Sequence, residues 1–174
     1  MKLFLCILTF VCWSSVEVIP KQFLKKIDKE ILEVFQIQSY GKEIVQLDEA
    51  SLVGLSPSFD PNFFFKITGE QGEDLGYFYF GNAPSKADTF DFLVIFDNDL
   101  IIKKIKILAY REDYGGEISS KRWLEQFSGY SRQDSLRYGS EIKAISGATI
   151  SAQSMTHAVN ELLKNISSLS LTTE

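Results

Sequence analysis

The stretch from Thr89 to Tyr110 constrains the fold more than any other part of the chain. Thr89 to Phe96 alternate in side-chain character, Asp97-Asn98-Asp99 is a turn sequence, and Leu100 to Tyr110 return with Ile105 and Ile107 set against Lys104 and Lys106. A period of two marks a strand with one buried and one wet face, and short polar residues between two such strands make a hairpin. Further strands are expected from Asn62, where Phe63, Phe65 and Ile67 alternate against Phe64 and Lys66, and from Leu75 to Phe80. Gly69-Glu70-Gln71-Gly72 supplies the turn between them. A sheet of this kind must cover its apolar face, so the expectation is an α+β fold, a single domain in which helices pack on one side of an antiparallel sheet.

The helices are expected at the two ends. Between Pro20 and Phe35 the apolar residues Phe23, Ile27, Ile31, Leu32 and Phe35 recur at helical spacing. The mixed charges of that segment, Lys21, Lys25 and Lys26 beside Asp28, Lys29 and Glu30, read as a solvated face. After Gly41 a short strand is expected from Glu43 to Leu47, and then a short helix through Leu52 capped by Asp48. Ser119 or Ser120 is the expected cap of a helix that carries Trp123, Leu124 and Phe127 into the core and ends at Gly129. The last helix is expected from Ile150 to about Ile166, buried through Met155, Val159, Leu162 and Ile166, with His157 exposed and Ser167 to Glu174 fraying.

Composition narrows the function. A chain of 174 residues, 45% of them hydrophobic, has enough material for one core but not for two. Its 18 basic and 23 acidic residues leave a net charge of -5 with no long basic run, which argues against a nucleic-acid partner. The start, Met1-Lys2 followed by an apolar run from Leu3 to Trp13 and then Ser14 and Ser15, matches a secretory signal over residues 1–19 and is too short to span a bilayer. Both cysteines, Cys6 and Cys12, fall within it, so disulfides, thiolate catalysis and cysteine-bound metal are not expected in the mature chain. A lone His157 supports neither a metal site nor a catalytic triad.

Two small-residue segments remain. Ser146-Gly147-Ala148-Thr149-Ile150-Ser151 sits where the last helix begins. A helix start offers unpaired N–H groups and the positive end of the macrodipole, so this turn suits either a bound phosphate or plain N-capping by Ser or Thr. Gly115-Gly116, in Tyr110-Arg111-Glu112-Asp113-Tyr114-Gly115-Gly116-Glu117-Ile118, reads either as a ligand-facing loop or as a strand-to-helix connection.

The string SGATIS resembles the flavinylation motif of the FMN-binding domain family, which includes flavin-carrying components of the sodium-pumping NADH:quinone reductase and of the Rnf electron-transport complex. The stretch from Tyr110 to Ile118, followed by Trp123-Leu124-Glu125-Gln126-Phe127-Ser128-Gly129, is similar to the family's acidic residue, glycine loop, helix and Gln-Phe pair, and the resemblance covers about residues 88 to 166. It implies FMN bound covalently by a phosphoester to Thr149, installed by a flavin transferase. It also implies a cofactor site of Ser146, Gly147, Ala148, Ile150 and Ser151 with Glu112, Tyr114, Gly115 and Gly116. Tyr110, Tyr114 and Trp123 are then candidates to line the flavin ring.

One position departs from the family. An aspartate usually stands three residues before the motif serine, and this chain has Lys143 there. Lys143 either weakens recognition by the transferase or pairs with the phosphate as a compact cation. The resemblance thus implies an exported, periplasmic or otherwise extracytoplasmic electron carrier rather than a stand-alone enzyme. It would hand electrons to a redox protein or a membrane electron-transport complex, to which it is peripheral. The competing reading is a noncovalent flavin-binding or flavin-free accessory or sensor module of a membrane redox system, and a Ser146- or Ser151-based hydrolase or transferase comes last for want of a general base.

Overall fold

A computed structural model describes residues 19–169. The signal reading up to residue 18, with Cys6 and Cys12, and the tail from residue 170 lie outside the described residues. In chain order the elements are α1 (Lys21–Phe35), β1 (Gly41–Ile44), α2 (Glu49–Leu52), β2 (Phe64–Thr68), β3 (Asp74–Pro84), β4 (Thr89–Phe96), β5 (Ile102–Tyr110), α3 (Lys121–Leu124) and α4 (Thr149–Ser168). The five strands form one antiparallel sheet in the order of the sequence, β1-β2-β3-β4-β5. The α+β, single-domain expectation is met.

The sheet is not wet on either face at its centre, which corrects the one-sided packing expected above. Phe64, Tyr77, Phe90, Phe92, Val94, Phe96 and Ile105 face one core, shared with Ala152, Met155, Val159, Leu162 and Ile166 of α4 and with Trp123 and Phe127. Phe65, Ile67, Phe78, Phe80, Leu93 and Ile95 face the other, which Phe23, Ile27 and Ile31 of α1 close. In β4 the run Phe92-Leu93-Val94-Ile95-Phe96 is buried at every position, as a strand covered on both faces requires. Lys104 and Lys106 lie on the α1 side, where buried Glu30 meets them at 2.6 and 3.6 Å.

Other boundaries move for local reasons. β1 ends at Ile44 rather than Leu47, although the Val45 amide still reaches the Phe64 carbonyl at 3.0 Å. β3 runs on through Gly81 to Pro84, which pairs with Thr89. The Asp97 carboxylate accepts the amides of Asp99 and Ile101, and Leu100 takes φ +60°, so the turn extends to Ile101 and β5 starts late. The expected Trp123 helix is α3 followed by a 3₁₀ turn at Glu125–Phe127, and Ser120 precedes it without a side-chain capping bond. Asp48 does cap α2, accepting the Ser51 amide at 2.7 Å. Ser167 and Ser168 belong to the last turn of α4 instead of a frayed tail.

Candidate functional site

The last helix starts from the turn Ser146–Ala148. Gly147 has φ +87°, a conformation open to glycine, and Ala148 takes the N-cap position with no side chain to cap it. Its carbonyl accepts the Ala152 amide at 2.8 Å. Ser146, Gly147, Thr149 and Ile150 are exposed, Ala148 and Ser151 are buried. Neither the Ser146 nor the Thr149 hydroxyl makes a hydrogen bond among the described residues. The Ser/Thr capping alternative is therefore not what the fold uses here: α4 begins with unpaired amides and two unengaged hydroxyls beside them.

A second segment meets this turn. β5 delivers Tyr110, whose hydroxyl donates to the Tyr114 carbonyl at 3.0 Å and accepts a hydrogen bond from Ser151 Oγ at 2.9 Å. The Tyr114 carbonyl can only accept, which sets the direction of both bonds. Gly115 has φ +85°, and a Cβ added there would lie 2.6 Å from Tyr110 Oη, 3.5 Å from the Gly147 carbonyl and 3.6 Å from Ala148 Cα. A Cβ on Gly147 would meet the Glu117 carboxylate at 3.4 Å. Gly115 and Gly147 therefore let the two loops approach to backbone contact. Around them the side chains of Tyr114 and Ile150 are 85% and 50% exposed, an aromatic and an aliphatic surface beside the bare helix start.

The remaining expected residues sit on the flanks. Glu112 turns its carboxylate to the β3–β4 turn, where Oε1 accepts the amides of Ala87 and Asp88 at 2.8 and 3.3 Å. The Ser85 hydroxyl and these amides hold its carboxyl below the usual carboxylate range. Arg111 reaches back to buried Asp91 and to the Thr89 carbonyl, fixing the same loop to β4. Lys143 is exposed, with its main chain held by Gln126 and Trp123. Trp123 is 4% exposed and packs edge-on against Phe127, which meets the core expectation and removes it from the candidates to line the flavin ring.

Two participants carry no signal in the sequence. Glu117 is visible there only as part of a charged stretch, and nothing local shows that it lies beside Gly147. The tie from Tyr110 to Ser151 spans 41 positions and is invisible to any local pattern.

The arrangement offers a phosphate monoester or diester the amides at the positive end of a 20-residue helix and the exposed Ser146 and Thr149 hydroxyls, with the Glu117 carboxylate close to Gly147. A model of the FMN-binding domain matches residues 86–164, from the β3–β4 turn into the last turns of α4, and so covers every element of this site. No curated protein matches the chain.

Proposed function

Residues 86–164 belong to the FMN-binding domain family, and from that premise we propose that this chain is an exported electron-transfer flavoprotein with FMN esterified through its phosphate to Thr149. The observation that carries the reading is the uncapped start of α4, where the exposed Thr149 hydroxyl stands free beside unpaired amides inside the matched segment. Flavin supplies the redox chemistry, one or two electrons at a time, and the chain supplies position and electrostatics.

The Thr149 hydroxyl would be the nucleophile toward the flavin-side phosphorus of a flavin dinucleotide, its proton going to a base of the transferase and the nucleoside monophosphate half leaving. The amides at the α4 start would hold the resulting phosphodiester, whose charge the macrodipole favours by about 0.3–1 kcal/mol at an exposed site. Lys143, exposed and three residues before the motif serine, is the cation nearest the motif in the sequence. The exposed Tyr114 and Ile150 would give a bound ring its apolar contacts. A covalent bond retains the cofactor in a compartment where free FMN is not supplied, which agrees with the signal-like start of the sequence.

The test is the full-length chain produced together with a flavin transferase in an exporting host and viewed by flavin fluorescence on a denaturing gel. A fluorescent wild-type band that disappears in Thr149→Ala supports the assignment, and a band that survives in Thr149→Ala defeats it. The second reading, a reversibly bound flavin, is favoured by Lys143 in place of the family's aspartate. It predicts a yellow native protein whose colour is released on denaturation.

A further inference from the structure

Three residues before Ser146 the chain is gripped from two sides. The Lys143 amide donates to Gln126 Oε1 at 2.9 Å, and the Lys143 carbonyl accepts from Trp123 Nε1 at 2.9 Å. Gln126 Nε2 donates in turn to the Trp123 carbonyl at 3.2 Å, which fixes the orientation of its amide. The grip is anchored in the core, because Trp123 is 4% exposed and packs against fully buried Phe127. From this point the chain runs through exposed Ala144, half-buried Ile145, which packs on the core, and exposed Ser146 and Gly147 before Ala148 is buried at the head of α4. Among the described residues, the clamp at residue 143 is the last side-chain hydrogen bond to the main chain before the motif.

We infer that Gln126 and Trp123 are positioning residues for flavin attachment, which set where Ser146–Thr149 is presented by holding the main chain of residue 143. The inference rests on Thr149 as the acceptor. It accounts for the unusual residue at this position: both backbone groups are taken while the side chain is exposed, so the fold reads the backbone of residue 143 and leaves its side chain free. Lysine is tolerated there for the same reason. Losing the clamp costs little global stability, since the released groups of Lys143 are at an exposed position where water replaces the lost bonds. Its effect falls on the geometry of the motif.

The experiment compares initial rates of fluorescent-band formation for the full chain with the transferase, and hydrogen exchange across residues 142–149 for the chain made without it. Gln126→Leu is expected to slow attachment about three- to tenfold, the factor one lost hydrogen bond represents, and to speed exchange at the Lys143 amide by a similar factor. Amides in the middle of α4 should be unchanged. Gln126→Glu, which keeps the acceptor for the Lys143 amide, should restore most of the rate. A wild-type rate in Gln126→Leu, unchanged exchange at Lys143, or no recovery in Gln126→Glu overturns the inference. If Gln126→Leu does not accumulate, Trp123→Phe removes the other arm and carries the same comparison. A wild-type chain that takes no flavin defeats the Thr149 reading itself, and the exchange measurement then decides the clamp alone.

Discussion

Replacing Gly115 by alanine tests the contact between the two loops most directly. Gly115 sits at φ +85°, ψ 14°, where an L-residue costs about 1–2 kcal/mol relative to glycine. The new Cβ would also stand 2.6 Å from Tyr110 Oη, so the phenol must retreat by the better part of an ångström. Its bonds to Tyr114 and Ser151, at 3.0 and 2.9 Å, are then lost. Each contributes about 0.5–1.5 kcal/mol, which brings the total cost of Gly115→Ala to about 2–5 kcal/mol. Tyr110→Phe alone forfeits the same two bonds but leaves the space that alanine needs. In the double variant the backbone strain stays but the two bonds are lost only once, so the two changes together should cost about 1–3 kcal/mol less than their separate sum. Urea unfolding of the four proteins with a shared m-value measures this coupling. Additivity within about 0.5 kcal/mol would refute the argument that Gly115 is there to admit the Tyr110 hydroxyl.

The other predictions are more local. Glu112 has its carboxyl held below the usual range by Ser85 and the Ala87 and Asp88 amides. Its contribution is therefore present above the unfolded-state pKa and is lost as pH falls through the lower folded-state value. An NMR titration should show the Ala87 and Asp88 amides moving together with a midpoint below 4.5; a midpoint at or above it would sever the proposed link. Gln36 closes α1 in the left-handed region at φ 56° with an exposed side chain. Gln36→Gly should raise stability by up to about 1 kcal/mol in the same urea assay, and a destabilised variant would contradict the strain argument.

Some of this structure is legible in the sequence, and the rest is hidden for physical reasons. The apolar stripes of α1 and α4, and the limits of β4 at Thr89 and Phe96, follow from periodicity alone. The covering of the second face by α1 does not, because Lys104 and Lys106 look like solvent-facing residues until Glu30, more than 70 positions away, is placed against them. At the site, SGATIS and Gly115-Gly116 mark both loops. The sequence carries Trp123 into the core but also leaves it a ring candidate, because an aromatic near a ligand loop reads the same whether it lines a pocket or anchors a clamp. Only its bond to the Lys143 carbonyl distinguishes the two. The absence of a capping side chain at Ala148 is equally hidden, since Ser146 and Thr149 are both good caps by type.

The order of the strands also has a kinetic consequence. Because β1 to β5 lie side by side in chain order, the pairings from β2 to β5 close short turns and can form as the chain is released, while β1–β2 closes across residues 45–63. Helix α1 is made before all of them, yet it meets β5 across 82 positions, as in the bond from Lys26 Nζ to the Leu108 carbonyl. Its docking closes the longest loop in this half of the molecule and waits for the last strand. Until then Phe65, Phe78, Phe80, Leu93 and Ile95 form a bare aromatic and aliphatic sheet face. The interval between strand pairing and helix docking is thus when this chain is most exposed to aggregation.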